Sequence, residues 1–225
     1  MAMKSVFILM KIPLLVRIKE TATMKLIVLS TPDFYVEEDK IITDLFEEGL
    51  DTLHLRKPES EPVLSERLLT LIPEQYHSRI MVHHHFYLKE EYNLMGIHIN
   101  RRSPDIPSDY KGKKSRSCYS LEELSAARGN FDYCCLDNVF NSISNPIKKS
   151  TLTKDEIKDA ARRGLIDRKV MAMGGITLDN ISELQDLGFG GAIVCGDLWG
   201  KFDIHGARDY KNLLHHFRLL RKATL

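Results

Sequence analysis

A chain of 225 residues with 43% hydrophobic and 28% charged residues has an ordinary folded-domain composition and suits one large α/β unit, not a disordered or low-complexity segment. Its 32 basic and 31 acidic residues leave a formal net charge of +1, with no overall field to draw nucleic acid or anionic lipid, so the expected partners are small molecules or protein. The four cysteines, Cys118, Cys134, Cys135 and Cys195, lie in apolar runs without Cys-x-x-Cys spacing, which argues against a secreted disulfide scaffold and for reduced thiols in a cytoplasmic protein.

Residues 1–23 contain two apolar stretches, 6–10 and 12–16, split by Lys11 and closed by Arg17, so they form neither an uninterrupted signal core nor a membrane span. They read as an extension outside the fold, an over-long translation start, and Met24 opens the first clean strand. From there β-type runs alternate with amphipathic helical stretches at intervals of roughly 25 residues, the pattern of repeated βα units. Eight such runs are expected as strands: 25–30, 52–56, 80–84, 96–99, 115–119, 133–136, 170–173 and 192–195. Eight closes a single (β/α)8 TIM barrel over residues 24–225.

The helices support that count. Residues 37–48 should turn Ile41, Ile42, Leu45 and Phe46 inward, and 60–71 should turn Leu64, Leu68 and Leu71 inward. Ser120 with Glu123 predicts a capping box, 177–188 a helix stopped by Gly188, and 207–221 a closing helix with Tyr210, Leu213, Leu214 and Phe217 on one face. Pro104, Pro107 and Gly112 interrupt 101–114, so the outer helix there is expected to be missing or reduced.

In such a barrel the C-terminal strand tips carry the chemistry. Strands seven and eight end in Gly174-Gly175-Ile176 and Cys195-Gly196, small residues that let backbone N–H groups approach an anion; the pairing of two such tips argues for a phosphate cup over plain tight turns. On strand two, alternation sends Leu53 and Leu55 outward and His54 and Arg56 toward the mouth, where an anionic ligand or an internal carboxylate would partner the arginine, with Lys57 next in sequence. His83, His84 and His85 end strand three between His54 and His98. Imidazoles on three neighbouring tips suit zinc, but alternation splits the triplet, no carboxylate stands beside it, and hydrogen bonding is the expected role; no metal site is assigned. After strand six, residues 136–145 form a polar loop in which Asn138, Ser142 and Ser144 offer hydrogen bonds, and Lys148 and Lys149 offer charge.

Taken in order, these segments resemble the thiamine phosphate synthase and thiazole tautomerase family. The glycine tips resemble its thiazole-phosphate cup, and His54-Leu55-Arg56 sits where its Gln-x-Arg motif lies. Gly96-Ile97-His98-Ile99 resembles its Gly-Val-His-Leu strand, and Arg116-Ser117 with Ser120-Leu121-Glu122-Glu123 its Ser-x-His-Ser-x-Glu-Glu stretch. Asp132-Tyr133 through Val139-Phe140 resembles its Asp-Tyr to Val-Phe loop. The resemblance implies thiamine biosynthesis, a small phosphate or pyrophosphate ligand, and a substrate-binding set of Lys57, Ser117, Ser142, Ser144, Gly174, Gly175, Cys195 and Gly196, with Arg56, His54, His84 and Asn138 as catalytic candidates.

It also implies magnesium, yet the family's Asn-Asp pair after strand three reads His83-His84, and its acid after strand four is replaced by Asn100-Arg101-Arg102-Ser103. The family's tautomerases place a histidine where this chain has Asn138. Three readings follow: a synthase coupling a pyrimidine pyrophosphate to thiazole phosphate, a tautomerase using another base such as His54 or His84, or a non-catalytic thiazole-phosphate binding protein.

Overall fold

Short strands of largely apolar residues, each followed by a return segment, can pair in parallel as an open sheet or a closed barrel, and here they close. The structure, a computed structural model, describes residues 23–143, 149–150, 152–203 and 209–225. Its strands are β1 (Lys25–Leu29), β2 (Thr52–Leu55), β3 (Ile80–Val82), β4 (Gly96–Ile99), β5 (Lys113–Cys118), β6 (Tyr133–Leu136), β7 (Val170–Met173) and β8 (Gly191–Val194). They form a closed barrel in sequence order, every pair parallel, with Lys25 opposite Gly191 sealing β1 to β8. The expected (β/α)8 architecture is therefore borne out. The expected extension, 1–23, lies outside the described residues except for Thr23.

Among the described residues eight α-helices surround the strands, α1 (Glu38–Glu47), α2 (Pro62–Leu71), α3 (Leu88–Glu91), α4 (Leu121–Ala127), α5 (Lys154–Arg162), α6 (Glu183–Asp186), α7 (Gly196–Trp199) and α8 (Lys211–Lys222), with a 3-10 helix at Glu74–Arg79. In α1 the spacing works as read, with Ile41, Ile42 and Leu45 fully buried. Each such aliphatic contributes roughly 1.5–3 kcal/mol of burial against the barrel wall. In α2 the buried face is rotated by a residue: Ser65, Leu68 and Leu69 turn inward, while Leu64 and Leu71 are 42% and 54% exposed. The 177–188 stretch buries Ile181, Leu184 and Leu187 as expected, but only α6 within it is α-helical. Ser120 caps α4 by accepting the Glu123 N–H at 3.2 Å, while the Glu123 carboxylate reaches back to the Tyr119 N–H instead of closing a box. The reciprocal box is at Thr153 and Glu156, opening α5. Residues 207–208 of the expected closing helix are outside the described residues.

Between β4 and β5 there is no helix, in line with its prolines and glycine; an Asn100–Ser103 bridge turns the chain sharply at the barrel mouth. Among the described residues no helix is long and apolar enough to cross a membrane. All four cysteines are free thiols.

The interior of the barrel is divided. Ile27, Cys135, Met171 and Ile193 pack into an apolar cluster on the β6, β7, β8 and β1 side. On the β2 to β5 side the buried residues are His54, His83, His98, Ser115 and Ser117. Apolar packing stabilises one half, and hydrogen bonding must satisfy the other.

Candidate functional site

At the C-terminal strand ends lies a cavity of about 640 Å³, a volume suited to a small organic ligand. Its walls come from every part of the barrel mouth. Ser30 and Arg56 stand just after β1 and β2, Asn100, Arg101 and Arg102 on the turn after β4, Ser117 and Tyr119 near the end of β5, and Asp137 and Ser142 after β6. Gly174, Gly175, Cys195 and Gly196 complete the ring from β7 and β8.

Arg56 is pinned through its backbone: its N–H donates to the Ser30 hydroxyl at 2.9 Å, and that hydroxyl donates to the Arg56 carbonyl at 3.2 Å. Its guanidinium is half-buried at the cavity wall and makes no ion pair among the described residues. It is near enough to Cys195 to lower that thiol, although burial dominates and pushes the thiol up to about 11. A thiol held so high is a small filler at the cup, not a nucleophile. Arg101 is steadied by Glu123 at 2.9 Å and lies 4.0 Å over the Tyr119 ring.

The glycine tips have a second physical reason beyond an anion. Gly174 and Gly175 have φ of 91° and 66°, in the region that side chains resist. The loop after β6 is laid directly on them: Val139 and Phe140 donate to the carbonyls of Met173 and Gly174 at 3.1 Å each. A Cβ on Gly175 would stand 2.2 Å from the Asn141 carbonyl oxygen. Replacing Gly175 therefore disturbs that loop as well as any ligand. Gly196 begins α7, where the first N–H groups have no helical acceptor.

Of the residues singled out in the sequence, Arg56, Ser117, Ser142, Gly174, Gly175, Cys195 and Gly196 come together around this cavity. Others do not. Lys57 points away from the mouth; its ammonium is buried against Glu38 at 2.6 Å, donates to the Asp33 carbonyl at 2.7 Å and lies 4.4 Å over the Phe34 ring. Strand alternation, which sends Arg56 inward, sends its neighbour out. Asn138 adopts φ 60° beside the cavity without lining it, its N–H held by the Asp137 carboxylate at 2.8 Å. His84 is half-buried at the edge, where Nδ1 meets the Ser103 hydroxyl at 3.3 Å and Nε2 is buried without a partner. Burial, with Arg56 nearby, lowers its pKa. Ser144 and Lys148 lie outside the described residues.

His54 is below the floor, not at the mouth. It is fully enclosed, and burial drops its pKa to about 3. His83, which lines the cavity, and His98 beside it are likewise held well below the ordinary value by burial. Sequence reasoning missed Ser30 and Tyr119 on the wall and Tyr133 beneath it; a run of inward polar residues on β2 to β5 was the available signal.

The sequence pattern of the thiamine monophosphate synthase family matches residues 26–198. A thiamine-phosphate synthase of Flavobacterium johnsoniae is 24% identical over 187 residues, 71% of this chain and 82% of that protein. The crystal structure of a thiamine phosphate pyrophosphorylase from Bacteroides thetaiotaomicron is 55% identical, covers 89% of this chain and 97% of its own, and superposes with a TM-score of 0.82. A thiamine phosphate pyrophosphorylase from Pyrococcus furiosus, at 19% identity and a TM-score of 0.68 over 91% of this chain and 96% of its own, shares the fold.

Proposed function

The chain belongs to the thiamine monophosphate synthase family, and from that premise we propose that its cavity binds a thiazole phosphate and joins it to a pyrimidine pyrophosphate with release of pyrophosphate. The observation that carries this reading is Arg56, half-buried at the cavity wall without an ion pair among the described residues, beside the Gly175 and Gly196 tips. A half-buried guanidinium at a cavity wall suits an anionic ligand, and a phosphate accepts its hydrogen bonds two at a time.

The leaving pyrophosphate needs its developing charge neutralised. Magnesium, which the family resemblance implies, takes hard oxygen ligands in near-octahedral array. Here Asp137 is the one carboxylate among the described lining residues, against Arg56, Arg101 and Arg102. That donor set does not fit a magnesium pyrophosphate site, and no step is routed through the metal; the three arginines take the charge. Asp137 is bonded to the Asn138 N–H, which further reduces its capacity as a ligand.

A second reading, tautomerisation of the thiazole phosphate with His83 as base, is disfavoured by the burial that holds that imidazole well below its ordinary value and makes it a poor proton acceptor near neutral pH.

Two measurements test the proposal. Calorimetry with thiazole phosphate should show Arg56→Met weakening binding about 10–100-fold, the loss expected for a charged hydrogen bond; unchanged affinity removes the site. A coupled assay across a magnesium titration should show thiamine phosphate formation with little magnesium dependence, and a strong, saturable requirement would overturn the arginine reading.

A further inference from the structure

Asp197 is a carboxylate in a place where an anion site has least use for one. It follows Gly196, which lines the cavity, and a negative charge one residue from a bound phosphate opposes its binding. Asp197 does not itself line the cavity. Its side chain is 14% exposed, and Oδ2 accepts two hydrogen bonds, from the Leu178 N–H at 3.1 Å and from His216 at 2.6 Å. A carboxylate only accepts, so the hydrogen of the second bond is on His216 Nε2. Leu178 belongs to the segment that follows the Gly174-Gly175 tip of β7, and His216 to the face of α8 buried with Leu213, Phe217 and Leu220. One oxygen thus joins the β7 tip, the β8 tip and α8.

Neither tip is held in place by regular structure. β7 ends at Met173, and the two glycines that follow are at φ 91° and 66°. β8 ends at Val194, and the four residues of α7 are too few to keep a direction through their own hydrogen bonds. Bonds to the surroundings fix each tip separately. The Asn180 amide donates to the Gly175 carbonyl at 2.9 Å and accepts the Thr177 N–H at 2.9 Å, which closes the β7 segment on itself. Trp199 Nε1 donates to the Leu29 carbonyl at 2.8 Å and ties α7 to β1. The bond from Asp197 to Leu178 is different, because it is the one side-chain hydrogen bond among the described residues that runs from one tip to the other.

We propose that Asp197, anchored by His216, is a positioning residue for the phosphate: it sets the separation of the Gly175 and Gly196 tips so that both backbones meet one anion, and it does not touch the ligand. The inference rests on the cavity being the thiazole phosphate site proposed above. Without the brace, the tips must be brought to one separation at the expense of binding; with it, they are already there. The gain has to exceed the repulsion that the carboxylate exerts on the anion, and the two effects have opposite signs when the carboxylate is removed. A catalytic triad with Cys195 is the competing use of an Asp–His pair, but burial pushes that thiol up to about 11, and the one influence opposing burial is Arg56, not His216.

Asp197→Ala removes the charge and the brace together. In calorimetry, repulsion alone predicts that this variant binds thiazole phosphate more tightly than wild type, whereas the brace predicts binding at least about tenfold weaker, the scale of one charged hydrogen bond. The unphosphorylated thiazole alcohol is the control, since a phosphate-positioning residue leaves its affinity within twofold. Phosphate binding that is unchanged or tighter overturns the brace, and so does an equal loss for both ligands, which marks a merely structural role. His216→Leu leaves the carboxylate in place and removes its anchor; it should show the same phosphate-specific loss, and it carries the test if Asp197→Ala does not fold. A ligand-free measurement separates failure of the brace from failure of the proposed function. Nitrogen-15 order parameters of the Gly175 and Gly196 amides should fall in His216→Leu from the rigid range, about 0.85, toward the flexible range below about 0.6. Values equal to wild type at both glycines overturn the brace whether or not thiazole phosphate binds.

Discussion

Acidification from pH 6.5 to 5 should unfold this protein far more steeply than its carboxylates alone would require. The perturbation is protonation of the histidines under the cavity. In the fold, burial lowers His54 from 6.5 to about 3 and holds His83 and His98 well below 6.5. A base whose folded pKa is depressed contributes stability above its unfolded pKa and loses it as pH falls, because only the unfolded chain takes up the proton. Each group contributes about 1.4 kcal/mol per pH unit once pH is below 6.5, hence about 4 kcal/mol per unit for the three. Glu38 opposes them: burial raises it from 4.5 to about 7, so between those values the fold holds a proton that the unfolded chain lacks. Subtracting that one proton leaves two, or about 2.7 kcal/mol per unit, and about 4 kcal/mol over the 1.5 units considered. This is a large share of the roughly 5–15 kcal/mol typical of a domain. Urea unfolding curves at pH 7.5, 6.5, 5.5 and 5.0 measure the slope directly, and His98→Asn should reduce it by about one proton. Stability that stays flat from pH 6.5 to 5 would refute the neutral buried cluster.

Lys57→Met should destabilise the fold by about 3–5 kcal/mol, the cost of breaking a buried pair and stranding the other charge, because Lys57 and Glu38 are each 1% exposed. The loss should grow as pH rises and Glu38 is forced to ionise, and thiazole phosphate affinity should stay within twofold; a stable variant with tenfold weaker binding would return Lys57 to the ligand site. Gly175→Ala, with φ 66° and a backbone oxygen 2.2 Å from the new Cβ, should cost at least about 1 kcal/mol more in urea than Gly129→Ala, where φ is 84° and nothing lies within 4 Å. Equal costs would show that the loop after β6 yields freely.

The barrel was legible because its evidence is local and repeated: eight apolar runs with helical faces such as Ile41, Ile42 and Leu45 between them. The wall of the cavity was legible wherever alternation alone decides direction, as at Arg56. Lys57 was misplaced by the opposite reasoning, proximity in sequence to Arg56 and in charge to a phosphate. Strand geometry turns consecutive residues to opposite faces, and the partner that satisfies Lys57 is Glu38, nineteen positions earlier on α1. In α2 the Leu64, Leu68, Leu71 spacing is genuine helical spacing. An equally good stripe one residue round, Leu68 and Leu69, is the one the barrel covers, and nothing in the segment itself distinguishes the two.

The histidine floor shows a different limit. Each of its residues could be assigned an inward direction from the sequence, but whether inward histidines bind a metal, stand apart or join into a chain depends on the register of parallel neighbours. His98 lies opposite Ser115, and Ser115 opposite Tyr133. These pairings bring a hydroxyl between the imidazole of β4 and the phenol of β6, and the phenol then crosses the barrel to His54 on β2. A slip of one residue between β5 and its neighbours would replace Ser115 by Lys114 or Arg116 in that interior position and put a charge where the buried His98 ring has a neutral hydroxyl as its partner. Alternation along β5 therefore does more than hide polar side chains. It keeps the basic residues Lys114 and Arg116 on the outer face, near the Phe131 ring, and leaves Ser115 and Ser117 to satisfy the two ring nitrogens of His98 beneath the cavity.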